Sequence, residues 1–287
     1  MSDRPGWLRV AARESAGYRE LTAEFAVSGL TTVCSESGCP NIWECYSRRH
    51  ATVLIMGDVC SRACAYCRIS SGSPQEVDVT ETERVAGAVA SLNLSDIVVT
   101  SVSRDDLADG GAEIYERTIE AIRMKAPQCR IEVLIPDFSG DWQALERVAA
   151  ARPDMIGHNM ETVARLFPDV RPQANYRLSL MLLKRLVASG MPVKSGIMVG
   201  LGERRTEIRQ TLDDIAACGV KTIVIGQYLA PSPQHPPVRR YYRPAEFMGL
   251  AGYAQRIGFK RIISGPLVRS SYRGLILTPV SGAECLS

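Results

Sequence analysis

Two groups of three cysteines carry the strongest chemical signal in this chain. The first group is Cys60, Cys64 and Cys67, which have the spacing C-x3-C-x2-C. Soft thiolate ligands favour iron–sulfur clusters, zinc or Cu(I). A cubane [4Fe–4S] cluster ordinarily takes four cysteines, so three ligands leave one iron open to a substrate or cofactor. An open coordination position is where a metal centre can do chemistry.

A structural zinc site is the alternative interpretation of this triplet. His50 or a distant cysteine would then supply the fourth ligand. Zinc sites usually present paired C-x2-C knuckles, whereas this segment has a single x2 spacing. The spacing therefore favours an iron–sulfur cluster.

The second group is Cys34, Cys39 and Cys45, with the spacing C-x4-C-x5-C. A second cluster is the economical interpretation, but its fourth ligand must come from elsewhere in the chain. The other three cysteines, Cys129, Cys218 and Cys285, are scattered. We predict structural roles for them, because free cysteine is commonly a small buried hydrophobe.

Composition places the chain among globular proteins. It has 287 residues, of which 46% are hydrophobic and 23% charged, and a formal net charge of +3. This charge gives no reason to expect nucleic acid as a partner. No apolar run reaches the roughly 18 residues of a membrane span, and the first residues lack the shape of a signal peptide. Clustered cysteines without a secretory signal favour metal binding or catalysis over disulfides, so we predict a cytoplasmic protein without membrane association.

Apolar runs and helical periodicity alternate from residue 53 onward, which predicts a parallel sheet covered by helices. The predicted strands are Val53–Gly57, Asp96–Ser101, Arg130–Ile135, Asp154–His158, Val193–Val199 and Lys221–Gln227. The predicted helices are Glu81–Leu92, Ala112–Lys125, Trp142–Ala151, Tyr176–Ser189, Thr206–Ala217 and Pro244–Ile257, preceded by one at Tyr18–Ser28. Polar segments follow the strands, as in β/α barrels, where active sites form at the strands' C-terminal ends. Six β/α units result, with a flavodoxin-like open sheet as the alternative fold.

A C-x3-C-x2-C triplet on such a scaffold resembles the signature of the radical S-adenosylmethionine enzymes. In that superfamily the amine and carboxylate of S-adenosylmethionine bind the open iron, and the reduced cluster cleaves the cofactor to a 5′-deoxyadenosyl radical. The segment 196–203 is similar to the stretch that supports the adenine end of the cofactor. By this resemblance, the candidate cofactor-binding residues are Thr100, Ser101, Asn159, Glu161 and Gly200.

Further segments resemble one family within this superfamily, the lipoyl synthases. The matching stretches are residues 34–45, the triplet at 60, 64 and 67, and residues 100–107, 109–112, 132–138, 158–163, 194–203, 226–229 and 264–273. The resemblance spans residues 30 to 273. Three departures from the usual family residues are Tyr46, Ser103 and Ile135, and none of them is a predicted cluster ligand.

This resemblance implies a fourth ligand for the second cluster. In the motif Arg269-Ser-Ser-Tyr-Arg273 a serine oxygen binds that auxiliary cluster, and the motif places this role on Ser271. The residues by themselves would not favour Ser271 over Cys285, since a thiolate is the better ligand for iron.

The family resemblance also implies the reaction. Lipoyl synthases insert two sulfur atoms at carbons 6 and 8 of an octanoyl chain, which is bound to a lysine of a carrier protein. Two S-adenosylmethionine molecules are used, and the auxiliary [4Fe–4S] cluster is consumed as the sulfur donor. The implied site residues are thus Cys60, Cys64, Cys67 and Ser271 for catalysis, with Cys34, Cys39 and Cys45 as further cluster ligands.

The implied partners are octanoylated lipoyl carriers and a reducing electron donor. The carriers are the lipoyl domains of 2-oxoacid dehydrogenase E2 subunits and the glycine cleavage H protein. Such domains are often acidic, so a basic rim is expected to steer them. Two candidate basic patches contain Arg239, Arg240 and Arg243 in one and Arg48 and Arg49 in the other.

The predicted fold is therefore α/β, a partial (β/α)6 barrel of the radical S-adenosylmethionine type with N- and C-terminal extensions. We expect an extension at 1–50 with the auxiliary-cluster cysteines, a core at 51–258 and a C-terminal segment at 259–287. The alternatives are another radical sulfur-inserting enzyme, such as a biotin synthase or a methylthiotransferase, and a zinc-stabilised binding module. The N-terminal triplet and the Arg-Ser-Ser-Tyr motif argue against both of those enzymes.

Overall fold

Strands and helices alternate along most of the chain. A computed structural model of the protein describes residues 4–10 and 13–272. The strands are β1 (Thr31–Thr32), β2 (His50–Ile55), β3 (Val59–Cys60), β4 (Ser70–Ser71), β5 (Asp96–Ser101), β6 (Arg130–Leu134), β7 (Met155–Gly157), β8 (Val193–Val199), β9 (Thr222–Gln227) and β10 (Arg261–Gly265). The α-helices are α1 (Ala16–Val27), α2 (Val33–Glu36), α3 (Ile42–Ser47), α4 (Glu81–Ser91), α5 (Ala112–Lys125), α6 (Trp142–Ala150), α7 (Phe167–Val170), α8 (Tyr176–Ala188), α9 (Arg205–Ala217) and α10 (Pro244–Arg256).

The main sheet has eight strands in the order β1-β2-β5-β6-β7-β8-β9-β10. Every neighbouring pair from β2 to β10 is parallel. Strands that follow one another along the chain are thus neighbours in the sheet, which is the order of a β/α barrel. A flavodoxin-like sheet would instead have the order 2-1-3-4-5, so the open-sheet alternative is wrong.

The six predicted β/α units are confirmed, and a seventh parallel strand follows them. Helices α4, α5, α6, α8, α9 and α10 each connect one strand to the next. The additional strand, β10, pairs with β9 from Arg261–Thr222 to Gly265–Gly226. This strand was missing from the sequence prediction, and it places part of the predicted C-terminal segment in the sheet.

The sheet curves strongly around its inner face. His50 on β2 and Lys194 on β8 reach the carbonyl oxygens of two consecutive residues, Ser271 and Ser270, at 2.7 and 2.6 Å. Four strand spacings separate β2 from β8, or about 19 Å on a flat sheet. One short segment can reach both strands only because the sheet curls toward it, as in a partial barrel.

Burial of the sheet on both faces explains why its strands read as continuous apolar runs. All six residues of β2 are buried, including His50 and Thr52. Because these two residues are polar, the predicted strand starts at Val53, three residues after the observed start of β2. On the outer face, helix α5 inserts Tyr115, Ile119 and others into the core, each such side chain contributing about 1.5–3 kcal/mol of burial free energy.

Two of the three N-terminal cysteines lie on short helices that the sequence pattern does not predict, and Cys39 lies between these helices. Helices α2 and α3 carry Cys34 and Cys45, and strand β1 pairs antiparallel with β2. The rings of Tyr18 and Trp43 stack at 4.2 Å and hold α1 against α3. The N-terminal segment therefore packs on the edge of the sheet.

Two features of the sequence prediction, Arg273 and Cys285, lie outside the described residues. Within the described ranges, each helix is too short or too polar to span a membrane.

Candidate active site

Cys60 ends β3, shortly after β2, and Cys64 and Cys67 lie in the connection between β3 and β4. The backbone N–H of Ser103 donates to Sγ of Cys60 at 3.2 Å, and the N–H of Ser61 donates to the carbonyl of Ser103 at 3.0 Å. The N–H of Ala65 donates to the carbonyl of Val170 at 2.9 Å. These contacts attach the loop to the segments that follow β5 and β7.

Arg62 fixes the same loop from within. Its side chain is only 4% exposed. Its Nε and Nη2 donate to the two carboxylate oxygens of Asp105 at 2.7 Å each, and Nη2 also lies 2.6 Å from Oδ1 of Asp137. Hydrogen bonds with this planar geometry are strong and directional. The cluster loop is thereby attached to the segments following both β5 and β6.

Cys60, Cys64 and Cys67 line one cavity of about 150 Å³. Burial raises the pKa of Cys64, and it raises the pKa of Cys67 to about 11, with a further contribution from the other thiols of the triplet. Thiolates gathered in a buried site repel one another, so they are stable there only when a metal centre compensates their charge. The donor set thus fits an iron–sulfur cluster.

Arg171 supplies an additional donor to this cavity. It is buried, its Nη1 donates to the carbonyl of Asn159 at 2.9 Å, and its buried Nε has no hydrogen-bond partner among the described residues. An unpaired buried N–H is costly. A guanidinium on a cavity that three thiols also line fits a bound group with acceptor atoms, such as cluster sulfide or a carboxylate.

The second triplet forms its own group on α2, α3 and the turn between them. Cys34 and Cys45 are each 8% exposed. Burial raises the pKa of Cys34 to about 11 and that of Cys45 to about 12, and Cys39 adds to both shifts by charge repulsion. The three thiols are therefore close enough to interact, which fits a second cluster.

A larger cavity of about 350 Å³ connects the two triplets. Its lining includes Cys34, Cys39, Cys67, Glu161 and Ser271. Cys45 is buried and does not line this cavity. The predicted fourth ligand thus lies on the same cavity as two cysteines of the second triplet, and Cys67 lies on both cavities.

Asn159 and Glu161 lie between the triplets and line both cavities. Nδ2 of Asn159 donates to Oε1 of Glu161 at 3.0 Å. Glu161 has a φ of +65°, which is uncommon for a residue with a side chain and is typical of functional sites. Burial raises the pKa of Glu161, while Arg171 opposes that shift.

Thr100 and Ser101, at the end of β5, line the smaller cavity. Oγ1 of Thr100 donates to the carbonyl of Leu134 at 2.8 Å, and Oγ of Ser101 accepts from Tyr115 Oη at 3.0 Å. Both hydroxyls already have partners within the protein. Their predicted contact with a cofactor therefore requires a second hydrogen bond from each hydroxyl.

Gly200 lies in a turn just after β8 and lines neither cavity. Its φ is +113°, and a Cβ there would lie 2.8 Å from the carbonyl oxygen of Arg240. Glu203 closes the turn by accepting from the N–H groups of Gly200 and Leu201 at 2.7 and 2.8 Å. Backbone geometry therefore requires glycine at this position. The residues of β8 that line the larger cavity are Gly196, Ile197 and Met198.

The geometry gives no support to a single-ion zinc site in the part of the chain that the structure describes. There, no three His, Cys, Asp or Glu side chains are arranged as ligands of one metal ion. The ring of His50, the suggested fourth zinc ligand, instead lies 2.7 Å from the carbonyl oxygen of Ser271. A four-iron cluster binds its thiolates at separate irons, so it suits more widely spaced cysteines.

Arg62 and Arg171 are the site residues that sequence reasoning missed. Arg62 lies inside the cysteine motif, and an arginine between three buried ligands could have been suspected of forming a buried ion pair. Arg171 precedes a proline in a polar stretch, and nothing in its local pattern marks it. Their partners are distant in sequence, so spacing alone does not reveal them.

Comparisons with known proteins agree with this geometry. The family model of the radical SAM superfamily matches residues 54–215. The chain is similar to a lipoyl synthase from a Roseiflexus species, with 50% identity over 94% of this chain and 90% of that protein. It is also similar to a lipoyl synthase from Caldicellulosiruptor saccharolyticus, with 49% identity over 94% of this chain and 95% of that protein.

The fold is similar to that of a solved protein that binds S-adenosylmethionine. The crystal structure of Streptococcus suis SuiB bound to S-adenosylmethionine has a TM-score of 0.56 and 9% identity, covering 75% of this chain and 50% of that chain. At this identity the likeness concerns the fold alone. The sequence relatives are far closer, and by them the chain belongs to the lipoyl synthase family of the radical SAM superfamily.

Proposed function

We propose that this protein inserts sulfur at carbons 6 and 8 of an octanoyl chain bound to a lysine of a lipoyl carrier protein. The proposal rests on the shared cavity, which is the cavity of about 350 Å³ between the two cysteine triplets. Cys34, Cys39 and Ser271 lie on its lining together with Cys67 and Glu161. An octanoyl chain in this cavity would lie between the two cysteine triplets.

Each triplet has its own task in the proposal. Cys60, Cys64 and Cys67 hold the cluster that binds S-adenosylmethionine, and Cys34, Cys39, Cys45 and Ser271 hold a second [4Fe–4S] cluster. When bound, the first cluster together with S-adenosylmethionine would supply a 5′-deoxyadenosyl radical, and the second cluster would supply the sulfur atoms. An alkyl C–H bond has no acidic proton, so acid–base chemistry by side chains cannot replace them.

The protein's own residues orient the reactants and exclude water. Arg62 holds the cluster loop in place. Asn159 donates to the carboxylate of Glu161 at 3.0 Å, and this carboxylate would bind a ribose or amino group of the cofactor. The apolar side chains of Ile197 and Val224, each 3% exposed, would keep water from the reactive carbon on one side of the cavity. Preorganisation of this kind is the part of the catalysis that the protein contributes.

The proposed partners are lipoyl domains of 2-oxoacid dehydrogenase E2 subunits, the glycine cleavage H protein and a reducing electron donor, met in the cytoplasm. The eight described cysteines are all free thiols, which supports a reducing compartment. On the first basic patch Arg240 forms an ion pair with Glu246, whereas the side chains of Arg239 and Arg243 are exposed. The proposed docking of an acidic carrier therefore depends on Arg239 and Arg243 more than on Arg240.

One anaerobic experiment tests the proposed function. The purified chain is reconstituted with iron and sulfide and incubated with an octanoylated lysine peptide, S-adenosylmethionine and a reductant, and the peptide mass is measured. The expected result is about eight irons per chain and a peptide heavier by two sulfur atoms. A colourless protein with zinc and no acid-labile sulfide, or an unchanged peptide beside cleaved cofactor, would contradict the proposal.

A further inference from the structure

The segment 267–272, which carries Ser271, is held from the inside of the barrel by buried side chains. Nζ of Lys194 donates to the carbonyl of Ser270 at 2.6 Å, and Nε2 of His50 donates to the carbonyl of Ser271 at 2.7 Å. The hydroxyl of Ser270 donates to Oδ1 of Asn159 at 3.1 Å. Two consecutive carbonyls and one hydroxyl are thus fixed by side chains of the sheet and of the segment after β7.

The same segment is also attached to the second cysteine triplet. Nδ2 of Asn41 donates to the carbonyl of Leu267 at 2.6 Å, and the hydroxyl of Tyr272 donates to Oε2 of Glu44 at 2.9 Å. Asn41 lies between the last two cysteines of the triplet, and Glu44 directly precedes Cys45. Protein contacts alone therefore keep the segment beside the triplet.

Lys194 is an unusual choice for the inside of a barrel. It is 3% exposed and forms a buried ion pair with Glu132 on β6, which is equally buried. Between them lies Gly157 on β7, which pairs with Lys194 in the sheet and has no side chain between the two charged groups. A buried ion pair is weak as a source of stability, so its position calls for another explanation. The contact with the Ser270 carbonyl provides one.

We propose that Lys194, held in place by Glu132, is a positioning residue that fixes the backbone of Ser270 and so presents Ser271 to the second cluster site. The inference rests on the proposed role of Ser271 as a cluster ligand and deepens it. A serine oxygen binds iron less well than a thiolate does. Holding its backbone in advance removes the entropic cost of ordering the segment when the cluster binds.

The main test removes both charges together. The double variant Lys194→Met/Glu132→Leu takes away the donor to Ser270 without leaving an unpaired buried charge. After anaerobic reconstitution, Cys60, Cys64 and Cys67 should still hold their cluster, and cofactor cleavage should persist. Iron release to a chelator from the second cluster should become at least about tenfold faster, because its serine ligand is no longer held. The matched control is Lys125→Met/Glu83→Leu, which removes an exposed ion pair between α5 and α4 and should leave the release rate unchanged.

A mutant cycle with Ser271→Ala separates positioning from general loosening of the fold. If Lys194 acts through Ser271, the double variant has no further effect on iron release once Ser271 is alanine, and the effects are not additive. Additive effects, or a double variant that retains iron like the wild type, would overturn the inference. If the wild type itself holds a single cluster, the proposed function fails instead.

A measurement on the unaltered protein covers the case in which the double variant does not fold. In the metal-free wild-type chain, the backbone amides of residues 268–272 should exchange hydrogen at least about tenfold more slowly than those of the exposed stretch 75–79. Slow exchange means that the segment is held before any cluster is present. Equal exchange rates in the two stretches would overturn the inference.

Discussion

The side chains of Asn159 and Ser270 are joined by a hydrogen bond of 3.1 Å, although 111 residues separate them in sequence. Asn159 also bonds Glu161. One amide therefore contacts both the residue predicted to bind the cofactor and the segment that carries Ser271. This relationship connects the two proposed cluster sites through one side chain.

Replacing Arg62 with lysine should impair the first cluster site while the chain stays folded. Lysine keeps the positive charge but cannot bond both oxygens of Asp105 and also reach Asp137. The loss of one or two charge-assisted hydrogen bonds should lower the free energy of unfolding by about 1–3 kcal/mol. Cleavage of S-adenosylmethionine should fall at least about tenfold, because small displacements of a reacting group are costly.

Arg165→Lys is the matched control for that variant. Arg165 also bonds both carboxylate oxygens of a partner, Glu207, at 2.7 and 3.0 Å, but this pair lies at the surface. Its replacement should change the free energy of unfolding by less than about 1 kcal/mol and leave cofactor cleavage intact. Chemical denaturation and 5′-deoxyadenosine release measure both quantities, and equal losses in the two variants would show that Arg62 has no special role.

Single alanine substitutions in the two triplets should have opposite effects. Cys60→Ala should abolish cofactor cleavage and remove about four irons per chain while the second cluster persists. Cys39→Ala should also remove about four irons but leave cofactor cleavage in place, and sulfur insertion should stop. Iron analysis, 5′-deoxyadenosine release and peptide mass measure the three outcomes. Lipoyl product from Cys39→Ala would show that the second triplet does not hold the sulfur donor.

The parts of the fold predicted best are those set by local sequence. Strands β5 and β8 and helix α5 have the predicted bounds, Asp96–Ser101, Val193–Val199 and Ala112–Lys125. In each, a continuous apolar run or a helical period is bounded by polar or glycine residues. Strand β10 was missed because its five residues contain only two apolar side chains, Ile262 and Ile263, which is too short a run to predict a strand. The helices at Cys34 and Cys45 were missed because they are only four and six residues long.

Within the site, both cysteine triplets and the residues of the shared cavity could be proposed from motifs. The buried charges could not, because Arg62 and Asp105 are 43 residues apart and Lys194 and Glu132 are 62 apart. A pattern read along the chain does not show which charges meet inside a barrel. Gly200 is the reverse case. Its motif suggests a contact with the cofactor, but the turn closed by Glu203 explains the glycine equally well.

Reversing charge at Arg239 and Arg243 should weaken binding of an acidic lipoyl carrier. The double variant Arg239→Glu/Arg243→Glu leaves the ion pair of Arg240 with Glu246 in place. Since exposed charges are screened within about 8 Å at physiological ionic strength, the loss of affinity should be larger at low salt than at high salt. Arg117→Glu, on the exposed face of α5, is the control and should leave carrier binding unchanged. Carrier titrations at two salt concentrations measure the effect, and equal losses at both would reject electrostatic steering.

His158 should make the stability of the metal-free protein fall in mild acid. Its Nδ1 donates to the carbonyl of Ile135 and its Nε2 accepts from the hydroxyl of Ser179, each at 3.0 Å. Burial, with Arg171 adding to it, lowers the pKa of His158 to about 4. The unfolded chain therefore takes up a proton at this residue from about pH 6.5 downward, while the folded chain does not.

The sign of the effect follows from that difference. Because the folded pKa lies below the unfolded one, the contribution of His158 is fully present above about pH 6.5 and is lost as the pH falls toward about 4, amounting to about 3 kcal/mol. His158→Gln cannot bind a proton, so its free energy of unfolding should decline less steeply over this range. Denaturant titrations of both chains at several pH values measure the slopes, with the range above about pH 7 as an internal control because His158 is neutral in both states there. Parallel curves for the two chains between about pH 6.5 and 4 would mean that His158 is protonated equally in the folded and unfolded states.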